Sequence, residues 1–100
     1  MTIELIKSEF RAWLETKHSY ETVGQAGTST DCPIATYLYE RTGKRHDMHQ
    51  DHYKGSLEDK INYTPLWVYS FIHLVDEDYD ANDCEVTAKQ AIHLLSKLQS

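Results

Sequence analysis

The sequence predicts a mainly α fold. It would be a small single-domain helical bundle of four to five short helices with an irregular polar middle segment, one compact domain over residues 1–100. Three observations predict it. Apolar residues recur at three- and four-residue steps near both ends of the chain. Cys32-Pro33 and Thr64-Pro65 place proline where a helix begins and costs nothing. Four glycines and two prolines are too few for a loop-dominated scaffold.

The elements follow in order. Residues 3–17 form the first predicted helix. Ile3, Ile6, Phe10, Trp13 and Leu14 make its apolar stripe, and Lys7, Arg11 and Glu15 its wet face. Thr2 serves as N-cap, and Glu4 suits the positive first turn. Residues 19–31 break the pattern, because Gly24, Gly27 and the run Thr28-Ser29-Thr30-Asp31 oppose a continuous helix. Thr22-Val23-Gly24 allows a short extended piece. A second helix is expected over 32–42, capped by Asp31 and with Pro33 in its first turn. Ile34, Ala35 and Leu38 face inward, with Tyr37 at the margin. Arg41 lies near the negative end of the dipole, and Gly43 stands at C′.

Residues 44–55 lack clear periodicity, with Met48 and Tyr53 as their anchors. A loop or irregular hairpin is expected, with a polar helical turn as the alternative. Ser56-Leu57-Glu58-Asp59 has the form of a capping box and predicts one short helix ending near Asn62. Thr64 then caps a central helix in which Leu66, Trp67, Val68, Phe71, Ile72 and Val75 form a wide apolar face. The run Trp-Val-Tyr-Ser-Phe-Ile also suits a buried strand, and the preceding Thr-Pro pair decides for helix. Residues 76–83 are an acidic connection. Asn82 and Glu85 resemble a capping box for a last helix over about 83–98, with Cys84, Ala88, Ala91, Ile92, Leu95 and Leu98 inward.

Charge narrows the partners. Net charge is -6, and nine acidic against four basic residues beyond position 50 put the acidity in the C-terminal half. A phosphate-backbone binder needs the opposite balance, so nucleic acid is disfavoured, although Arg41, Lys44 and Arg45 form a small basic face. Two cysteines without a CxxC pair make no disulfide scaffold. The acidic, amphipathic start MTIELIKSEF is unlike a signal peptide. The longest apolar run, Leu66 to Val75, is half of the roughly 20 residues a bilayer span needs. A soluble, cytoplasmic protein without a membrane segment is expected.

The segment Arg45-His46-Asp47-Met48-His49-Gln50-Asp51-His52 holds three of the six histidines. Imidazoles and carboxylates that converge can hold a divalent metal, and His46, His49, His52 and Asp51 are the candidate ligands. The three-residue spacing favours convergence on a helix. On an extended strand it alternates the faces and spoils it. HExxH is absent, and the simpler expectation is a solvated polar segment. Histidine's titration near neutrality also allows proton-linked binding.

Cys32 stands at a predicted helix start, where amide dipoles lower a thiol pKa and favour a reactive thiolate. A small apolar side chain beneath the first turn is the plainer expectation. The same holds for Cys84, whose neighbour Glu85 raises a thiol pKa. Asp76, Asp78, Asp80 and Asn82 match the first alternating ligands of a calcium loop. Ala81 and Thr87 break the rest of that pattern, leaving a solvated acidic loop. His73 and His93 read as surface residues, and Trp13 and Trp67 as core anchors. Gly24-Gln25-Ala26-Gly27 lacks the lysine and βαβ setting of a phosphate loop, and no cofactor is expected.

Seven tyrosines exceed what a small core hides. Exposed aromatics anchor interfaces, and Tyr37, Tyr39 and Tyr53 are the candidate partner-binding residues. The leading expectation is therefore a non-enzymatic interaction or regulatory domain acting through a protein partner or homodimer. A metal-dependent enzyme or sensor using His46/His49/His52, and a protein with a reactive Cys32, are the alternatives.

Overall fold

The chain folds as a mixed α/β structure rather than a helical bundle. The computed structural model describes residues 5–26, 31–57, 59–78 and 85–98. Its elements are α1 (Lys7–Glu15), β1 (Thr22–Gln25), α2 (Pro33–Thr42), β2 (His46–Met48), β3 (His52–Gly55), β4 (Asn62–Tyr63), α3 (Leu66–Asp78), β5 (Glu85–Thr87) and α4 (Ala88–Ser96). Two antiparallel sheets are present: β2-β3-β4, in that order, takes up the expected irregular middle, and β1 pairs with β5 from the two flanks.

The sheets escape the periodicity test because each strand has only two to four residues. That is too short for period-two alternation to stand out. The β1–β5 pairing is also non-local. Thr22 faces Thr87, Gly24 faces Val86 and Gln25 faces Glu85, with an irregularity between Thr22 and Gly24. This pairing draws residues 85–87 out of the last predicted helix. Thr87 then becomes its N-cap, in a reciprocal capping box with Gln90. Asn82, Cys84 and the acidic positions 79–83, like Thr2, lie outside the described residues.

The proline-led helices form where the sequence puts them. In α2, Cys32 rather than Asp31 is the N-cap. Its sulfur accepts from the Ala35 amide, and Gly43 closes the helix at φ 75. The Ser56 capping box starts no helix up to Leu57. The Ser56 amide donates to the Arg45 carbonyl, and its hydroxyl donates to Asp47, so both groups serve the hairpin instead.

One apolar cluster holds the elements together, with Phe10 at its hub. Its ring lies 5.8 Å from Trp13, 5.3 Å from Tyr37, 5.6 Å from Trp67 and 5.3 Å from Phe71. Tyr37 meets both Phe10 and Trp13 edge-on, a favoured aromatic geometry. Trp13 donates through Nε1 to Glu40, and Trp67 through Nε1 to the Leu5 carbonyl. Both indoles thus keep a polar partner at the edge of the core. On α3, Val68, Phe71 and Val75 are buried, whereas Leu66 points outward at 79% exposure.

Candidate functional site

The histidine segment is the β2–β3 hairpin. His46 pairs with Gly55, Asp47 with Lys54 and Met48 with Tyr53. Paired residues in an antiparallel ladder project from the same face. Met48 and Tyr53 are buried and define the inner face. His46 shares that side, its ring 6.4 Å from Tyr53. Asp47, Lys54 and His52 take the outer face, where Lys54 Nζ sits 3.4 Å from Asp47 Oδ2.

The turn is stabilised from outside the hairpin. The His49 amide donates to the His52 carbonyl. Thr64, just after β4, donates its amide to the Asp51 carbonyl and its hydroxyl to the Gln50 carbonyl at 2.8 Å. The imidazoles of His49 and His52 stack with centroids 4.6 Å apart. His52 Nδ1 donates to Asp51 Oδ1 at 2.6 Å, and that hydrogen bond holds the Asp51 carboxyl below its ordinary value. His49, His52 and Asp51 therefore meet at the tip, while His46 is turned to the inner face. Among the described residues, no group of three or more His, Cys, Asp or Glu side chains is placed to hold a metal ion.

The candidate tyrosines divide. Tyr37 and Tyr53 are core residues at 1% and 6% exposure, and Tyr39 is half exposed. Burial pushes the phenol pKa of both core tyrosines up. Sequence reasoning missed the residues that do stand out. Ile61, Tyr63, Leu66 and Tyr69 are 53%, 83%, 79% and 44% exposed within nine consecutive positions. Tyr63 pairs with His52, so the strip joins the outer face of the hairpin tip. Leu66 and Tyr69 are three residues apart on α3 and share one helix face. His73, 3.3 Å from Glu77, ends it with charge.

Two local signals bear on this strip. Residues 61 and 63 lie on one side of an extended segment, and α3 is apolar around most of its circumference. A helix with more apolar surface than one face can bury must expose some of it.

Cys32 lies in the opposite environment to a reactive thiol. Burial pushes its pKa up to about 11, outweighing the lowering from the Ala35 and Ile34 amides. The thiol is protonated at neutral pH and acts as a cap acceptor. His93 is exposed on α4. Among the described residues, no helix is long and apolar enough to cross a membrane.

No family model, curated protein or solved structure matches this chain.

Proposed function

We propose that this chain is a non-enzymatic protein-binding module whose contact surface is the strip Ile61, Tyr63, Leu66 and Tyr69, flanked by His49, Asp51 and His52. The observation that carries it is the exposure of four large apolar side chains within nine consecutive positions, beside a core that buries Phe10, Trp13, Tyr37, Tyr53 and Phe71. Scattered exposed leucines are ordinary, but a contiguous apolar patch with a polar rim is the usual anatomy of an interaction site. Tyrosine supplies large contact area for little conformational entropy. The stacked imidazoles and Asp51 supply hydrogen-bonding groups at the margin.

The occupant is a folded protein, either a different chain or a second copy. Leu66→Ser and Tyr63→Ser test this. Both positions are largely solvent-exposed, so the variants should keep native stability. Sedimentation and native mass spectrometry of untagged protein read self-association. Crosslinking in the source cell followed by purification reads a heterologous complex. Loss of a central anchor should weaken the complex by about 30-fold or more, equivalent to ~2 kcal/mol. A monomer with no stoichiometric partner, or a complex indifferent to both substitutions, overturns the proposal.

A further inference from the structure

At the base of the hairpin, away from the tip and its strip, lies a cleft of about 370 Å³ lined by Tyr39, Gly43, Lys44, Arg45, Gly55, Ser56 and Leu57. We infer that this cleft is a binding site for a small amphipathic anion, an aromatic carboxylate in chemical class.

Its volume lies in the ~300–1,000 Å³ range of small-molecule sites. The walls are apolar. Tyr39 offers a half-exposed ring, and Leu57 is fully exposed at 102% among the described residues, so a ligand seated there would cover it. Gly43 and Gly55 add no side chain to the lining.

The rim is cationic in a chain whose net charge is -6. The Arg45 guanidinium lies 5.7 Å from the Tyr39 ring centroid, which presents a charged, planar donor group beside an aromatic surface. Arg45 also approaches Asp31 at 3.7 Å, but both side chains are more than half exposed. Such a pair is worth little and yields to a better-placed carboxylate. The carbonyl end of α2 abuts the cleft, and its partial negative charge of about half an electron opposes an anion. Lys44 and Arg45, which line the cleft at that helix end, oppose this charge, whereas Arg41 is engaged by Glu9 at 3.7 Å. The geometry thus selects a ring for the walls and a carboxylate for the guanidinium.

The probe is 2-naphthoate, titrated into the full-length, isotope-labelled chain and followed by amide chemical shifts. The neutral 2-naphthylmethanol and the cationic 2-naphthylmethylammonium are the comparison arms. Saturable shifts confined to residues 39, 43–45 and 55–57 are expected. Affinity should fall from anion to neutral to cation, with at least tenfold between the extremes, or ~1.4 kcal/mol. Arg45→Met keeps the aliphatic stem and removes the charge, so it should bring the anion down to the neutral arm's affinity. Leu57→Ser, at a fully exposed position, should weaken all three arms and carries the test if Arg45→Met fails to fold. The inference is overturned by the absence of saturation, by equal affinity in the three arms, or by shifts that map to residues 61–69. The strip proposed for protein binding is untouched by either result.

Discussion

Gly24→Ala should be among the most damaging single-methyl changes in this protein. A Cβ built on Gly24 would lie 2.5 Å from the Pro33 nitrogen, 2.7 Å from the Cys32 carbonyl carbon and 2.8 Å from the Asp31 oxygen. All three are backbone atoms at the start of α2, so no side chain can swing away. Relief requires β1 to retreat from the helix start by several tenths of an ångström. That retreat strains the 2.7 Å bond from the Gln25 amide to the Asp31 carbonyl. Overpacking of this kind costs about 1–3 kcal/mol, and a weakened backbone hydrogen bond adds ~0.5–1.5 kcal/mol. The lower entropy of the unfolded alanine chain returns ~0.4–1 kcal/mol. These terms leave a net loss of about 0.5–4 kcal/mol, centred on ~2 kcal/mol, and that central value lowers Tm by roughly 8–16 °C in a domain of this size. Urea and thermal unfolding followed by circular dichroism measure it. Gly43→Ala is the control: its φ of 75 is strained for alanine, but the added methyl meets nothing. It should cost about 1–2 kcal/mol. A Gly24→Ala variant within 0.5 kcal/mol of wild type, on the ~0.5 kcal/mol scale of neutral surface changes, would refute the close-approach account.

Two titrations follow from buried or paired groups. The folded state retains the Cys32 proton up to about pH 11, whereas the unfolded thiol loses it near 9.0, so stability should fall as pH rises through that window. Cys32→Ser keeps an acceptor for the Ala35 amide and removes this titration. Its unfolding free energy should decline less steeply between pH 9 and 11, and parallel curves would contradict the burial of the thiol. Glu40 is held below its ordinary 4.5 first by its hydrogen bond from Lys17, with the Trp13 indole adding to the effect. Its contribution is present above 4.5 and lost as pH falls through the folded value. Glu40 is partly exposed, so Glu40→Gln should cost only ~0.2–1 kcal/mol at neutral pH. The gap to wild type should close in strong acid, and a gap that persists there would show that the pair is not its source.

Local chemistry was legible and long-range pairing was not. The bounds of α2 could be read from Pro33 and Gly43 because proline and glycine act on the residues beside them. The Thr64-Pro65 signal marked α3 for the same reason. Ser56-Leu57-Glu58-Asp59 misled because a capping box competes with other uses of the same groups. Here Arg45 and Asp47, brought alongside by the hairpin, claim Ser56. Thr87 was hidden as a cap because its role depends on β1, some 60 positions away.

An extended segment is expected to separate histidines spaced three apart, but the chain reversal between β2 and β3 stacks His49 on His52 at 4.6 Å and leaves His46 apart from both. His46 is on the inner face while His52 pairs with Tyr63 on the outer one. The tyrosine surplus pointed to an exposed aromatic surface without saying which rings form it. Tyr37 lies three residues from Ile34 and follows it inward, and Tyr53 alternates inward opposite Met48. Tyr63 takes the surface because it pairs with His52 on the outer face of the sheet, and Tyr69 because α3 has more apolar circumference than the core can cover.

Both sheets straddle the middle of the chain. β1 pairs with β5, and β3 pairs with β4, so a cut between Gly55 and Asn62 would leave every sheet missing a strand in each fragment. α1 also packs on α4, which would place the two ends of the core on different pieces. Neither fragment would carry a self-sufficient core. Mixed together, each would supply the other's missing edge and half of the aromatic hub, with Phe10 on one side and Phe71 on the other. The protein is therefore suited to reconstitution from two inert halves, with tryptophan fluorescence from Trp13 and Trp67 reporting the moment they join.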